Sequence, residues 1–136
     1  MISPSLDTLR TFLHVLSVCV WVGGQITLAA LVPVLRRSSP ESLPVVARAF
    51  ARIAWPAMAV AVGTGTWGLM VVDPSAQSGE WMVTFALKMA LVGVSVASTV
   101  AHSNARSKVV IAVGGAMGLL GALAAMACGI LIAHGA

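Results

Sequence analysis

Histidine, lysine and cysteine side chains within apolar stretches have the clearest capacity for chemistry in this 136-residue chain. Imidazole and thiolate groups bind copper or zinc, and an ammonium group carries three hydrogen-bond donors and a positive charge that suits an anionic ligand. His14, His134 and Cys128 are therefore candidate metal ligands. His14, Trp21 and Lys88 are candidate contacts to a cofactor.

Polar residues follow one face of the third apolar stretch, and helical geometry keeps them within roughly 80° of arc. Polar groups at membrane depth face a protein interior, a cavity or a partner, because hydrocarbon cannot satisfy them. The members of this polar face are Thr84, Lys88, Ser95, Ser98 and His102. For the hydroxyl residues, hydrogen bonding between helices and lining a site both stay open. His102 lies at the opposite end from His14 and is expected to be an interfacial residue.

A matching face runs along the first apolar stretch, where His14, Trp21 and Gln25 are spaced i, i+7 and i+11. If that face meets the third helix, His14 and Lys88 lie at the same depth, about one and a half turns below the outer surface. The sequence then predicts an outer-leaflet pocket between helices 1 and 3, with Gln25 among its polar lining. Alternatively, Lys88 extends its ammonium group to the outer headgroups.

Four apolar stretches must position these residues, at about 9–35, 53–72, 81–101 and 109–133. Hydrophobic residues make up 59% of the chain and charged residues 9%, whereas soluble domains carry about 25% charged residues. A membrane-spanning helix needs about 20 apolar residues, so each stretch is long enough. We expect an all-α, polytopic membrane protein: an up-down bundle of four transmembrane helices in a single domain covering residues 1–136.

Basic residues are concentrated in the first and third connections, which with four spans share one side of the membrane. These residues are Arg36, Arg37, Arg48, Arg52, Arg106 and Lys108. The other side holds Arg10 together with Asp7, Asp73 and Glu80. Lysine and arginine in short loops mark the cytoplasmic side. The sequence predicts a bacterial-type inner membrane protein with both termini outside, and no nucleic-acid partner.

The remaining patterns do not indicate catalysis. Gly114 and Gly118 form a GxxxG motif, which lets helices approach closely within the protein or across a dimer. The seven methionines show no clustered MxxM pattern of a copper relay, and Cys19 and Cys128 are expected to act as small hydrophobic residues. No phosphate loop, HExxH motif or carboxylate pair within a span is present, and these patterns favour a non-catalytic protein over an enzyme.

Several of these motifs together resemble CopD-domain membrane proteins, the family named for copper resistance. The residues that carry the resemblance are FLHVLSVCVWVGG at 12–24, PVLRR at 33–37, AFARIA at 49–54, GTG at 63–65 and Lys88. More distantly, the chain is similar to HemJ-type protoporphyrinogen oxidases, which share the spacing from His14 to Trp21, Lys88 and a histidine late in the third span.

The resemblance implies copper binding or transfer through the outer-leaflet pocket between helices 1 and 3, which is the first function predicted here, with a periplasmic copper protein or a second copy of the chain as partners. The HemJ likeness instead implies a b-type haem, with His14 as axial ligand, His134 or a partner subunit as the second, and Lys88 paired with a propionate. A third interpretation is a non-catalytic accessory subunit of a larger membrane complex.

Overall fold

The computed structural model describes residues 5–135, and the all-α prediction is confirmed over this range. The long helices are α1 (Leu6–Ser38), α2 (Leu43–Val71), α3 (Gly79–Asn104) and α4 (Lys108–His134). Short 3-10 turns, Pro40–Ser42 and Pro74–Ala76, follow α1 and α2. By contact density the helices fall into two compact units that divide after Asp73.

All four helices are long and apolar enough to cross a membrane. Within the most apolar 18 residues of each helix, no more than 28% are buried inside the protein. Water cannot solvate so much apolar surface favourably, whereas lipid chains can. The prediction of a multi-pass membrane protein is therefore confirmed.

The first unit is an antiparallel hairpin of α1 and α2. Arg10, near the start of α1, contacts Gly68 near the end of α2. Further along α1, Gly24 packs so closely on Phe50 that a Cβ at position 24 would overlap the ring. The absence of a side chain at Gly24 thus lets the two helices approach at this level.

The second unit is an antiparallel hairpin of α3 and α4, and its close packing comes from small residues. The buried face of α4 consists of Gly114, Gly118, Gly121, Ala122, Ala125 and Cys128. The Ser95 hydroxyl donates a 2.7 Å hydrogen bond to the Gly118 carbonyl, which places the backbone of α4 directly against α3. The GxxxG motif therefore serves packing within the chain, the first of its two predicted uses.

The helix ends differ from the predicted spans mainly at α2, which begins at Leu43 rather than near residue 53. Pro44 occupies the first turn of this helix, where its missing N–H removes no intrahelical bond. Pro56 lies inside α2, and the helix continues past it to Val71. Arg48 and Arg52 consequently lie on the helix, one turn apart.

Candidate functional site

His14 is held by α2 in a defined orientation. Its Nδ1 lies 3.0 Å from the Ala61 carbonyl oxygen and 3.0 Å from Thr64 Oγ1. A carbonyl oxygen only accepts, so Nδ1 carries the hydrogen and the lone pair of the neutral ring is on Nε2. Metal-binding histidines have this arrangement, in which the other ring nitrogen donates to a carbonyl or carboxylate.

The α2 residues around His14 explain why the ring is so firmly placed. Thr64 is buried, and its hydroxyl donates to the Val60 carbonyl at 2.6 Å. The lone pairs of the hydroxyl oxygen can therefore accept from His14 Nδ1. A Cβ at Gly65 would lie 3.4 Å from His14 Cε1, so the ring also packs against the α2 backbone. Thr64 was not among the site residues predicted from the sequence. The available signal was a hydroxyl in the middle of an apolar span.

The predicted face of α1 is turned inward along its length. Trp21 is only 3% exposed, and its ring meets Trp55 of α2 edge to face at 5.5 Å between centroids. Gln25, one turn further on, is half-buried. Its Nε2 atom is buried and has no hydrogen-bond partner among residues 5–135.

In the α3–α4 hairpin, Lys88 reaches across to α4. Its Nζ would lie 3.4 Å from a Cβ at Gly129, the residue that follows the buried Cys128. The structure thus places Lys88 against the part of α4 that contains Cys128. Arg10 forms a salt bridge with Asp7. No carboxylate among the described residues lies within salt-bridge distance of Lys88, so its charge is not compensated in this way.

The other polar residues of α3 have three different roles. Ser95 bonds across the hairpin, as described above, whereas the Thr84 hydroxyl donates to the Glu80 carbonyl of its own helix at 2.8 Å. His102 Nδ1 donates to the Ile111 carbonyl of α4 at 2.6 Å, so this histidine joins the ends of the two helices. Ser98 lines a mostly apolar groove of about 320 Å³ beside Gly114.

His134 and Cys128, both predicted metal ligands on α4, point in different directions. Six residues separate them along the helix, which corresponds to about 9 Å of rise and about 120° of rotation. His134 is exposed and its Nδ1 donates to the Ile130 carbonyl at 2.9 Å. Over residues 5–135, neither hairpin brings together three His, Cys, Asp or Glu side chains that could hold a metal ion.

Comparisons of this chain with protein-family models, with curated proteins and with solved structures found no match. The copper and haem interpretations therefore depend on the chemistry of the residues themselves. Of these residues, His14 has the clearest ligand geometry.

Proposed function

We propose that this protein is a multi-pass membrane protein that binds a b-type haem, with His14 Nε2 as an axial ligand to the iron. The observation that supports this most directly is the hydrogen bond from His14 Nδ1 to the Ala61 carbonyl. That bond selects the tautomer whose Nε2 can bind a metal, and it restrains the ring.

The number of available ligands favours haem over an ion held by protein side chains alone. A porphyrin supplies four nitrogen ligands to its iron, so the protein needs to add only one or two. Copper held without a macrocycle needs a cluster of donors, and the described residues of either hairpin lack one with three such side chains. One well-oriented histidine is therefore a better match to haem.

Lys88, in the α3–α4 hairpin, carries a charge that requires compensation. A lysine within a span costs about 2.5–3.5 kcal/mol on insertion scales, and in residues 5–135 no carboxylate pairs with it. An anionic group bound within the α3–α4 hairpin would compensate this charge. Lys88 also contacts α4 at Gly129, so its stem is already directed within the α3–α4 hairpin.

Copper binding is the second candidate, and the CopD resemblance together with the same imidazole geometry favours it. His14 Nε2 is a suitable copper ligand. The further ligands would have to come from a second copy of the chain or from a periplasmic copper protein. The predicted orientation, with His14 near the outer surface, agrees with a ligand arriving from that side.

The deciding experiment is a visible spectrum of the detergent-purified protein, oxidised and reduced, with metal analysis of the same sample. Haem binding predicts a Soret band that disappears in His14→Ala and returns when free imidazole is added. His134→Ala is the matched comparison: an unchanged band excludes His134 as the second axial ligand, and a shifted band identifies it.

The other outcomes are equally distinct. A colourless protein with stoichiometric copper that is lost in His14→Ala would replace haem by copper. Protein from haem-replete and copper-replete cells that carries neither group would contradict both proposals. Co-purifying membrane proteins would then favour the accessory-subunit interpretation.

A further inference from the structure

Gln25 carries a buried hydrogen-bond donor for which residues 5–135 supply no acceptor. Leaving a buried donor unsatisfied destabilises the folded protein. In a soluble protein a water molecule could satisfy it, but the hydrocarbon region of a bilayer contains none to spare. A bound molecule that presents an acceptor oxygen would remove this cost.

The depth of Gln25 narrows the source of that acceptor. Gln25 is three residues past the middle of the 33-residue helix α1, which places it about 4.5 Å from the helix centre by the helical rise. The hydrocarbon core of a bilayer extends about 15 Å on either side of its midplane. Ester carbonyls of ordinary lipids lie at the edge of that core, so the acceptor must belong to a molecule that dissolves in hydrocarbon.

The neighbouring side chains indicate the shape of this molecule. Trp21 precedes Gln25 by one helical turn, on the same face of α1, and its ring packs edge to face on Trp55 at an interplanar angle of 63°. Trp55 is 37% exposed and Trp21 only 3%, so of the two indole rings it is Trp55 that can shift. Two indole rings beside an amide donor suit a flat conjugated ring that carries carbonyl oxygens.

We propose that Gln25 donates the hydrogen bond that holds the head group of a membrane-dissolved quinone in the α1–α2 hairpin, with Trp21 and Trp55 beside the quinone ring. A quinone has two carbonyl acceptors, no donor that needs a partner, and a tail that remains in the lipid. Because Gln25 Nε2 is buried, the quinone ring reaches it by displacing the exposed Trp55 side chain, and a whole helix of another protein is too bulky to enter the hairpin in this way. The proposal requires no metal at His14.

Tryptophan fluorescence tests this proposal, because quinones quench indoles at short range. A short-chain benzoquinone with a decyl tail is titrated into the detergent-purified protein, and decylbenzene, which lacks the carbonyls, serves as the control ligand. We expect saturable quenching by the quinone alone. In Gln25→Leu the affinity should fall about 10-fold, the value of one hydrogen bond of about 1.4 kcal/mol.

Thermal unfolding separates a ligand-binding role from a structural one. Without ligand, Gln25→Leu should have a higher Tm than the wild type, since the variant removes an unsatisfied buried donor. With quinone, its Tm should rise less than that of the wild type. Thr27→Val is the matched control, because the exposed Thr27 hydroxyl donates only to the Gly23 carbonyl of its own helix; its affinity should not change.

Three results would overturn the proposal. Quenching that rises linearly with the quinone concentration, to the same extent as for free indole in the same detergent, would show that the protein has no quinone site. A lower Tm for Gln25→Leu with unchanged quinone affinity would show that Gln25 is satisfied within the protein. Dissociation of an oligomer in Gln25→Leu would assign the donor to a partner helix. The same titration in His14→Ala keeps this test separate from the haem proposal.

Discussion

Thr64 is the residue that most directly links the packing of the α1–α2 hairpin to the proposed chemistry of His14. Its Oγ1 lies 3.0 Å from His14 Nδ1. Valine has nearly the same shape but offers no acceptor, so Thr64→Val should leave the hairpin folded with a less restrained imidazole. Loss of such an orienting group typically weakens metal binding 10- to 100-fold, and we expect haem affinity to fall within that range.

The measurement is a titration of haem into the haem-free protein, followed at the Soret band. Thr66→Val is the matched control, because Thr66 is exposed and its hydroxyl donates only to Val62 of its own helix at 2.9 Å. Its affinity should equal that of the wild type. Equal losses in the two variants would contradict an orienting role for Thr64.

Ser95 shows at the same scale what an interhelical hydrogen bond contributes in a membrane. Its hydroxyl donates to the Gly118 carbonyl, and Ser95 is only 1% exposed. Such bonds average about 0.6 kcal/mol and reach about 1.7 kcal/mol in membrane proteins. Ser95→Ala should therefore lower the free energy of unfolding, measured in mixed detergent micelles, by about 0.6–1.7 kcal/mol.

Ser98, three residues further along α3, provides the comparison. It lines the groove beside α4. Within residues 5–135 its hydroxyl makes no hydrogen bond across the hairpin like that from Ser95 to Gly118. Ser98→Ala should change stability by less than about 0.5 kcal/mol. If both alanine variants lost the same stability, the bond to Gly118 would not be the cause.

Helices α3 and α4 depend on a lack of side chains at their contact. A Cβ at Gly121 would lie 3.1 Å from both the Leu91 carbonyl oxygen and the Ser95 backbone nitrogen. Backbone atoms cannot move aside as flexible side chains can, so Gly121→Ala should force the helices apart. Overpacking of this kind costs about 1–3 kcal/mol, which detergent unfolding can measure.

Gly93, in the same hairpin, is the matched glycine. A Cβ there would meet no atom within 4 Å, and alanine favours a helix by roughly 0.5–1 kcal/mol over glycine. Gly93→Ala should therefore be neutral or stabilising. A loss of stability in Gly93→Ala as large as in Gly121→Ala would mean that glycine matters for reasons other than close approach.

The existence of these helices could be predicted from the sequence, because a bilayer requires about 20 apolar residues for each span and four such runs are present. The start of α2 was less predictable. Pro44 is compatible with a helix break and with a first-turn position, and only the packing of α2 on α1, such as Phe50 against Gly24, decides between them. The inward face of α1 followed from helical periodicity, since Trp21 is indeed buried.

The partners of the predicted site residues could not be obtained in the same way. Periodicity orders side chains around one helix, whereas the pairing of His14 with Thr64 depends on the register between α1 and α2. That register is set partly by Gly24 against Phe50, which has no signature in hydropathy. For the same reason Trp55 was not identified beside Trp21.

For the whole molecule, the charge distribution predicts the direction in which the chain crosses the membrane. Six basic residues lie in the connections after α1 and α3 or in the adjoining ends of the helices, whereas Arg10 and three acidic residues lie toward the opposite ends. Because lysine and arginine in short loops stay cytoplasmic, the connection after α2 should face outward and the connection after α3 inward. His14 would then lie in the outer leaflet.

Single cysteines in these two connections test the orientation in whole cells. In a background with Cys19→Ala and Cys128→Ala, Ser75→Cys places a thiol in the 3-10 turn after α2. Ser107→Cys places one just before α4, where Ser107 makes no side-chain capping bond. A membrane-impermeant maleimide should label the thiol at position 75 in intact spheroplasts, and the thiol at 107 only after lysis.

The opposite labelling pattern would reverse the topology, and it would also change the meaning of the candidate site. His14 would then lie in the inner leaflet, so a copper ion delivered by a periplasmic protein could not reach it directly. Haem binding at His14 would be unaffected, because the hydrogen bond to Ala61 is independent of which way the hairpin faces. The labelling experiment therefore bears on the copper interpretation more strongly than on the haem interpretation.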